Sequence, residues 1–164
     1  MTMNILPNIS LVDLAVVYKD SLIIGDLQLG YEEAMEVRGI LLPRFQLKDI
    51  LERLERIFIH PTVKKAKIQR IIINGDIKHE FGTITSQEWR DSLRLFDWLT
   101  TKVQEIVLIR GNHDLALAPL AAKRNLKVVD AWEDKDVTII HGHKIPRNLN
   151  KIIIIGHEHP CVSF

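Results

Sequence analysis

Five short runs constrain the fold of this chain more than any other feature. Leu22–Gly25, Ile71–Ile73, Glu105–Ile109, Val137–Ile140 and Ile152–Ile155 are dominated by apolar, mostly β-branched residues. Each leads into a segment that carries glycine together with Asp, Asn or His. A run without a polar face has nothing to offer water, so it reads as a strand covered on both sides. The four isoleucines Ile152–Ile155 are too short to span a membrane and read as a central buried strand.

The stretches between the runs carry the helical period. Pro43–His60 puts Phe45, Leu47, Ile50, Leu51, Leu54, Ile57 and Phe58 at helical intervals, with charged residues filling the other face. Thr85–Lys102 opens with Thr85 and Glu88 at capping-box spacing and continues with Trp89, Leu93, Phe96 and Leu99, which predicts a second helix. Ala116–Arg124 reads as a short helix and Leu126–Val129 as a short strand. Leu14–Tyr18 and Leu22–Gly25, separated by Lys19-Asp20-Ser21, read as a hairpin. This alternation predicts an α/β fold with a mixed sheet, in one domain over residues 1–164. Ligands of such sheets sit beyond the carboxyl ends of the strands, where the five polar segments would converge.

Composition removes several function classes. The 22 Lys plus Arg against 21 Asp plus Glu leave a formal charge of +1, so no overall field draws the chain to nucleic acid. The basic runs Lys64, Lys65, Lys67, Arg70 and Lys123, Arg124, Lys127 have no interleaved aromatics and read as solvated charge. Cys161 is the only cysteine, which excludes an internal disulfide and a thiolate metal cage and fits a reducing cytosol. No apolar stretch approaches the ~20 residues of a membrane span. The expected location is cytoplasmic, with no membrane partner.

Asp, Asn and His without cysteine make an oxygen and nitrogen ligand set, suited to Mn, Fe, Zn, Ni or Co. There are more candidates than one tetrahedral site consumes, so two ions are expected, with Asp76 as the natural bridge.

Taken in order, Gly25-Asp26, Gly75-Asp76, Gly111-Asn112-His113-Asp114, His141-Gly142-His143 and Gly156-His157-Glu158-His159 resemble the signature of the calcineurin-like metallophosphoesterase superfamily, over almost the whole chain. The segments Gly25–Glu32 and Gly75–Phe81 further resemble an archaeal branch related to DNA-repair nucleases. The resemblance implies a layered α/β/β/α fold with mixed sheets. It also implies an enzyme in which a hydroxide bridging two divalent ions attacks phosphate mono- or diesters, nucleic acid among them. It places Asp26 and His159 on the first ion, Asp76 between the two, and Asn112, His141 and His157 on the second. Manganese is the leading ion, with Fe, Zn, Ni, Co or Mg as alternatives. His113 resembles the catalytic histidine that hydrogen-bonds the phosphate and protonates the leaving oxygen, its ring oriented by Asp114. Arg110, His79, His143 and Arg147 are expected to face the substrate.

Two departures bear on this. Asp26-Leu27-Gln28 has an amide where the family carries the histidine of Asp-x-His. Gln28 is therefore expected to ligate through its carbonyl oxygen and to weaken the first site, favouring Mn or Mg. Family members also continue past the last histidine pair, so the C-terminal strands are expected to be missing and a second copy to cover an open sheet edge. The rival expectation is a scaffold or binding module on the same fold with a degraded metal site. Any one histidine alone is more often structural than ligating. His60, before Pro61, reads as a helix-dipole partner, and Trp89, Phe96 and Trp98 read as core.

Overall fold

The computed structural model describes residues 2–114 and 116–158. Seven strands form one sheet in sequence order: β1 (Thr2–Leu6), β2 (Ile9–Val12), β3 (Ala15–Tyr18), β4 (Ser21–Ile24), β5 (Arg70–Asn74), β6 (Glu105–Ile109) and β7 (Lys127–Val129). The first four pair antiparallel, and β4 to β7 run parallel. A second sheet holds β8 (Ala131–Asp134), β9 (Val137–Ile140) and β10 (Ile152–Ile155), with β9 in the middle, antiparallel to β8 and parallel to β10. The helices are α1 (Tyr31–Val37), α2 (Gln46–Ile59), α3 (Pro61–Ala66), α4 (Ser86–Thr100) and α5 (Ala118–Ala122).

The all-apolar strands are explained by what covers them. Alternate side chains of a strand point to opposite faces. Ile71 and Ile73 therefore join Leu22 and Leu108 under Leu54 and Ile57 of α2 and Leu95, Phe96 and Leu99 of α4. Ile72, Ile23, Val107 and Ile109 point the other way, onto Val137 and Ile139 of β9 with Trp132, Ile152 and Ile154 around them. The layer order is thus helices, seven-stranded sheet, three-stranded sheet. Among the described residues α2 to α5 all contribute to the first core and no helical residue joins the second, so the mixed α/β layering expected from the sequence is present. The outer side of β9 is instead met by the segment leading to β10, where Asn150 N donates to Thr138 Oγ1 at 3.0 Å.

Ile152–Ile155 is, among the described residues, an edge strand, not the central one expected. Among the described residues β10 pairs with β9 alone, and Ile153 and Ile155 are 44% and 52% exposed while Ile152 and Ile154 face the core. Four isoleucines look the same whether one face or both are covered. His60 also takes a different part: it ends α2 and caps α3, its Nδ1 accepting from Thr62 N at 3.3 Å, with Pro61 in the first turn.

The capping box of α4 forms as its spacing predicts. Thr85 Oγ1 accepts from Glu88 N at 3.2 Å, and Glu88 Oε2 accepts from Thr85 N at 2.8 Å. Thr85→Ala is expected to cost about 1 kcal/mol and to lower Tm by about 2–4 °C in a chain of this length, measured by calorimetry. An unchanged Tm would mean that Glu88 alone secures the helix start.

Candidate metal centre and active site

Beyond the strand ends the loops stay zipped together. Asp26 N donates to Gly75 O at 3.1 Å, Gln28 N to Asp76 O at 2.9 Å and Leu29 N to Ile77 O at 2.7 Å, so the β4 and β5 loops run side by side. The β6 loop joins them through Asp76, whose Oδ1 accepts from His113 N at 3.1 Å. The second sheet is tied in by His141 Nδ1, which donates to the carbonyl of Asn74 at 2.9 Å, and by His157 N, which donates to Asp26 Oδ1 at 3.3 Å. All five strand ends expected to converge do so.

The backbone at this meeting point is bent into unusual conformations. Asp26 (φ 51°), Gln28 (φ 45°), Asp76 (φ 48°) and His157 (φ 64°) all lie in the left-handed region. Each costs roughly 1–2 kcal/mol relative to ordinary backbone, and such strain tends to concentrate where function requires a geometry. Two glycines supply the space. A Cβ on Gly111 would lie 2.2 Å from Asp76 Oδ1, and one on Gly75, itself at φ 79°, would lie 2.2 Å from His141 Nδ1.

The donor atoms are arranged for a cation. His141 Nδ1 faces a carbonyl and so carries a proton, which leaves Nε2 pointing at Asp76 Oδ1 (3.3 Å) and Asn112 Oδ1 (3.1 Å). Asp76, His141 and His157 each offer one ligand atom, all within 4.8 Å of one another. Three such groups converging with burial fit a divalent ion with nitrogen and oxygen ligands. Their electrostatics agree. Burial works to raise the Asp76 pKa, but the His141 ring and the His113 amide outweigh it and hold the carboxyl below its usual range. Burial works to lower the His141 pKa, but the Asp76 carboxylate and the Asn74 carbonyl outweigh it and raise it. The carboxylate and the imidazole thus hold a proton between them, and a metal ion would bind by displacing it.

Other candidates fall out differently. His113 Nδ1 donates to the backbone carbonyl of His79, with Nε2 3.8 Å from Asp76 Oδ2. Asp114 does not orient that ring: it is buried and accepts from Gly111 N and Ile77 N, both at 3.0 Å, which fastens the β6 loop to the β5 loop. Arg110 is turned away from the cluster and pairs with Asp130 just past β7, because β6 and β7 run parallel and bring those two loop positions together. Gln28 Oε1 faces His79 Nδ1 at 3.4 Å. His143 packs beside His141 and His157, with ring centroids 5.4 and 6.2 Å away, and its buried Nδ1 has no hydrogen-bond partner among the described residues. Burial lowers its pKa, with the His141 charge adding to the effect. Arg147 is exposed between β9 and β10, and His159 lies outside the described residues. Glu32, in α1 just after the first motif, is buried and accepts from Gln46 N and Gln87 Nε2.

Two contributors carry little sequence signal. Asn74 acts through its carbonyl, which any residue would supply. Phe81 lies over the His113 ring at 3.7 Å between centroids, yet it sits in a turn-rich stretch without helical or strand period.

Comparison with known proteins accords with this arrangement. The model of the calcineurin-like phosphoesterase family matches residues 21–150. No curated protein shows significant sequence similarity to the chain. Among solved structures, the Pseudomonas putida nuclease MPE aligns with a TM-score of 0.66 at 20% identity, covering 91% of this chain and 68% of that one, a likeness of fold. Family members of this kind carry divalent metal ions, and the donor set fits them. Matched from β4 through β9, and so through four of the five converging strand ends, the chain belongs to the calcineurin-like phosphoesterase family.

Proposed function

We propose that this chain is a metal-dependent phosphoesterase that hydrolyses phosphate mono- or diesters with a pair of divalent ions. The observation that carries the reading is the convergence of His141 Nε2, Asp76 Oδ1 and Asn112 Oδ1 on one another with His157 beside them. Asp26 with Gln28 and His159 would hold the first ion, Asp76 would bridge, and Asn112, His141 and His157 would hold the second. Manganese leads the candidates, with the neutral Gln28 oxygen as the weakest ligand. When bound, the two ions supply the Lewis acidity that generates a nucleophile from water and offsets phosphate charge.

The chain's own residues do the rest. His79 fixes the His113 ring through Nδ1, which directs Nε2 to the Asp76 side, where it can donate to a phosphate oxygen and then to the leaving oxygen. Because Nδ1 already carries a proton in that contact, donation from Nε2 requires the doubly protonated ring. The nuclease among the structural neighbours, with the archaeal-branch resemblance of Gly75–Phe81, makes a nucleic-acid diester the favoured substrate class. The cytoplasmic location goes with this reading, and among the described residues no helix is long and apolar enough to cross a membrane. The exposed Ile153 and Ile155 of β10 mark where a second copy would pair in a homo-oligomer.

A chromogenic phosphomonoester and a phosphodiester, assayed across Mn, Ni, Zn and Mg, test the proposal. Turnover with at least one ion is expected, and His113→Ala is expected to lower it by about 100-fold or more. Absence of turnover with every ion would favour the scaffold reading, against which stands the preserved positioning of His113 by His79.

A further inference from the structure

One side of the candidate site is a row of four rings, and ester hydrolysis alone has no use for its two outer members, Tyr31 and Phe81. Tyr31, 42% exposed, meets His79 edge-on at 5.1 Å and 90°. His79 lies 6.4 Å from His113, tilted by 30°. Phe81, 64% exposed, lies over His113 at 3.7 Å and 31°. The two inner rings are imidazoles and the two outer ones are exposed aromatics.

Phe81 belongs to neither hydrophobic core, so packing does not account for it. Nor does its exposure come from a slack loop. Glu80 N donates to Glu88 Oε1 at 2.8 Å, the Lys78 ammonium donates to Glu80 O, and Lys78 and Glu88 are both completely buried. The residue before Phe81 is therefore bolted to the start of α4. The ring lies on His113 and keeps most of its surface in solvent.

We propose that Phe81, with Tyr31 at the other end of the row, is a stacking platform for an unpaired nucleobase next to the scissile phosphodiester. It would favour strands whose bases are free over closed duplex and over small phosphate esters. The proposal rests on the phosphodiester reading above and names the part of the substrate that reading leaves open. Stacking on an aromatic face tolerates any base and is worth roughly tenfold or more in affinity per base. A base already stacked in duplex cannot use it without being pulled out. The near-zero net charge adds a reason: with a formal charge of +1 the chain has little long-range attraction for a polyanion, so contacts must supply the affinity. A phosphate placed at His113 Nε2 has its own base one sugar away, within reach of a ring seated directly on that imidazole.

Binding and turnover test this separately. In EDTA, where nothing is cleaved, a single-stranded DNA oligonucleotide carrying one 2-aminopurine is titrated with the protein, as are its RNA counterpart and an abasic strand of equal length and charge. The base-bearing strands are expected to bind about tenfold tighter than the abasic one, with 2-aminopurine fluorescence quenched on binding. Phe81→Ala should bring that ratio close to one and abolish the quench, Tyr31→Ala should reduce it, and Phe81→Trp should preserve it. With Mn present, the same ratio should appear in kcat/KM. Equal binding of base-bearing and abasic strands by the wild type would overturn the proposal. So would equal losses on both strands in Phe81→Ala, since the ring would then only shield His113. Base-selective binding without cleavage of any ester would instead sink the phosphoesterase reading and leave the platform standing.

Discussion

Asp76→Asn is expected to lower phosphodiester turnover by about a thousandfold or more while leaving the chain folded. The carboxylate sits between His141 Nε2 at 3.3 Å and His113 N at 3.1 Å, and is itself the ligand proposed to be shared by the two ions. Metal assistance is worth several kcal/mol in the transition state, and each ~1.4 kcal/mol is tenfold in rate. Asparagine is the informative replacement because Asp76 adopts φ 48°. Asn tolerates that conformation and keeps an oxygen for the His113 amide, so only the charge is lost. Alanine would add roughly 1–2 kcal/mol of backbone strain to the same chemical defect. Calorimetric titration with Mn should show weakened binding in Asp76→Asn alongside a Tm near that of the wild type. Retention of more than a tenth of the activity would remove Asp76 from the centre of the mechanism.

How much of this was readable in the residues depends on what each position exposes. β4, β5, β6 and β9 were legible because both of their faces are covered, the first three by helices and the second sheet and β9 by the first sheet and the segment leading to β10, and that leaves nearly unbroken apolar runs. β1 is exposed along its whole length and β8 is only half-buried, so neither shows a strand period. α1 buries Glu32 and Ala34 rather than an apolar stripe, and it starts from Gly30 without a side-chain cap. The ligand candidates were legible because imidazole and carboxylate groups placed directly after buried strands have few structural uses. What fixes their rings was not legible, since the Asn74 and His79 carbonyls that hold His141 and His113 are backbone atoms. The ring-orienting role expected of Asp114 failed for a related reason. Adjacency in the motif suggested contact with His113, but the carboxylate turns inward to two amides that the loops would otherwise leave bare.

That inward turn makes Asp114→Ala the largest stability defect expected in the site. Asp114 is 1% exposed, and its two oxygens each accept one backbone N–H, from Gly111 and Ile77. Without the side chain both donors are buried and unsatisfied, at about 1–3 kcal/mol each. The opposing effect is the cost of burying the carboxylate itself, since burial raises the Asp114 pKa despite the Gly111 amide. We therefore expect a net loss of about 3 kcal/mol and a Tm lowered by roughly 6–12 °C. The sign of the pH dependence follows from the raised pKa. The group's stabilising contribution is fully present below its unfolded pKa and declines as pH rises through the raised folded value. The gap in Tm between wild type and Asp114→Ala should accordingly be widest in acid and narrow as the pH rises. Asp114→Asn, which keeps one acceptor oxygen, should lose about half as much. A brace and a ring-orienting partner of His113 then separate cleanly. The brace predicts a shifted Tm with the pH profile of turnover preserved in the folded fraction, whereas a displaced pH profile at unchanged Tm would return Asp114 to the imidazole.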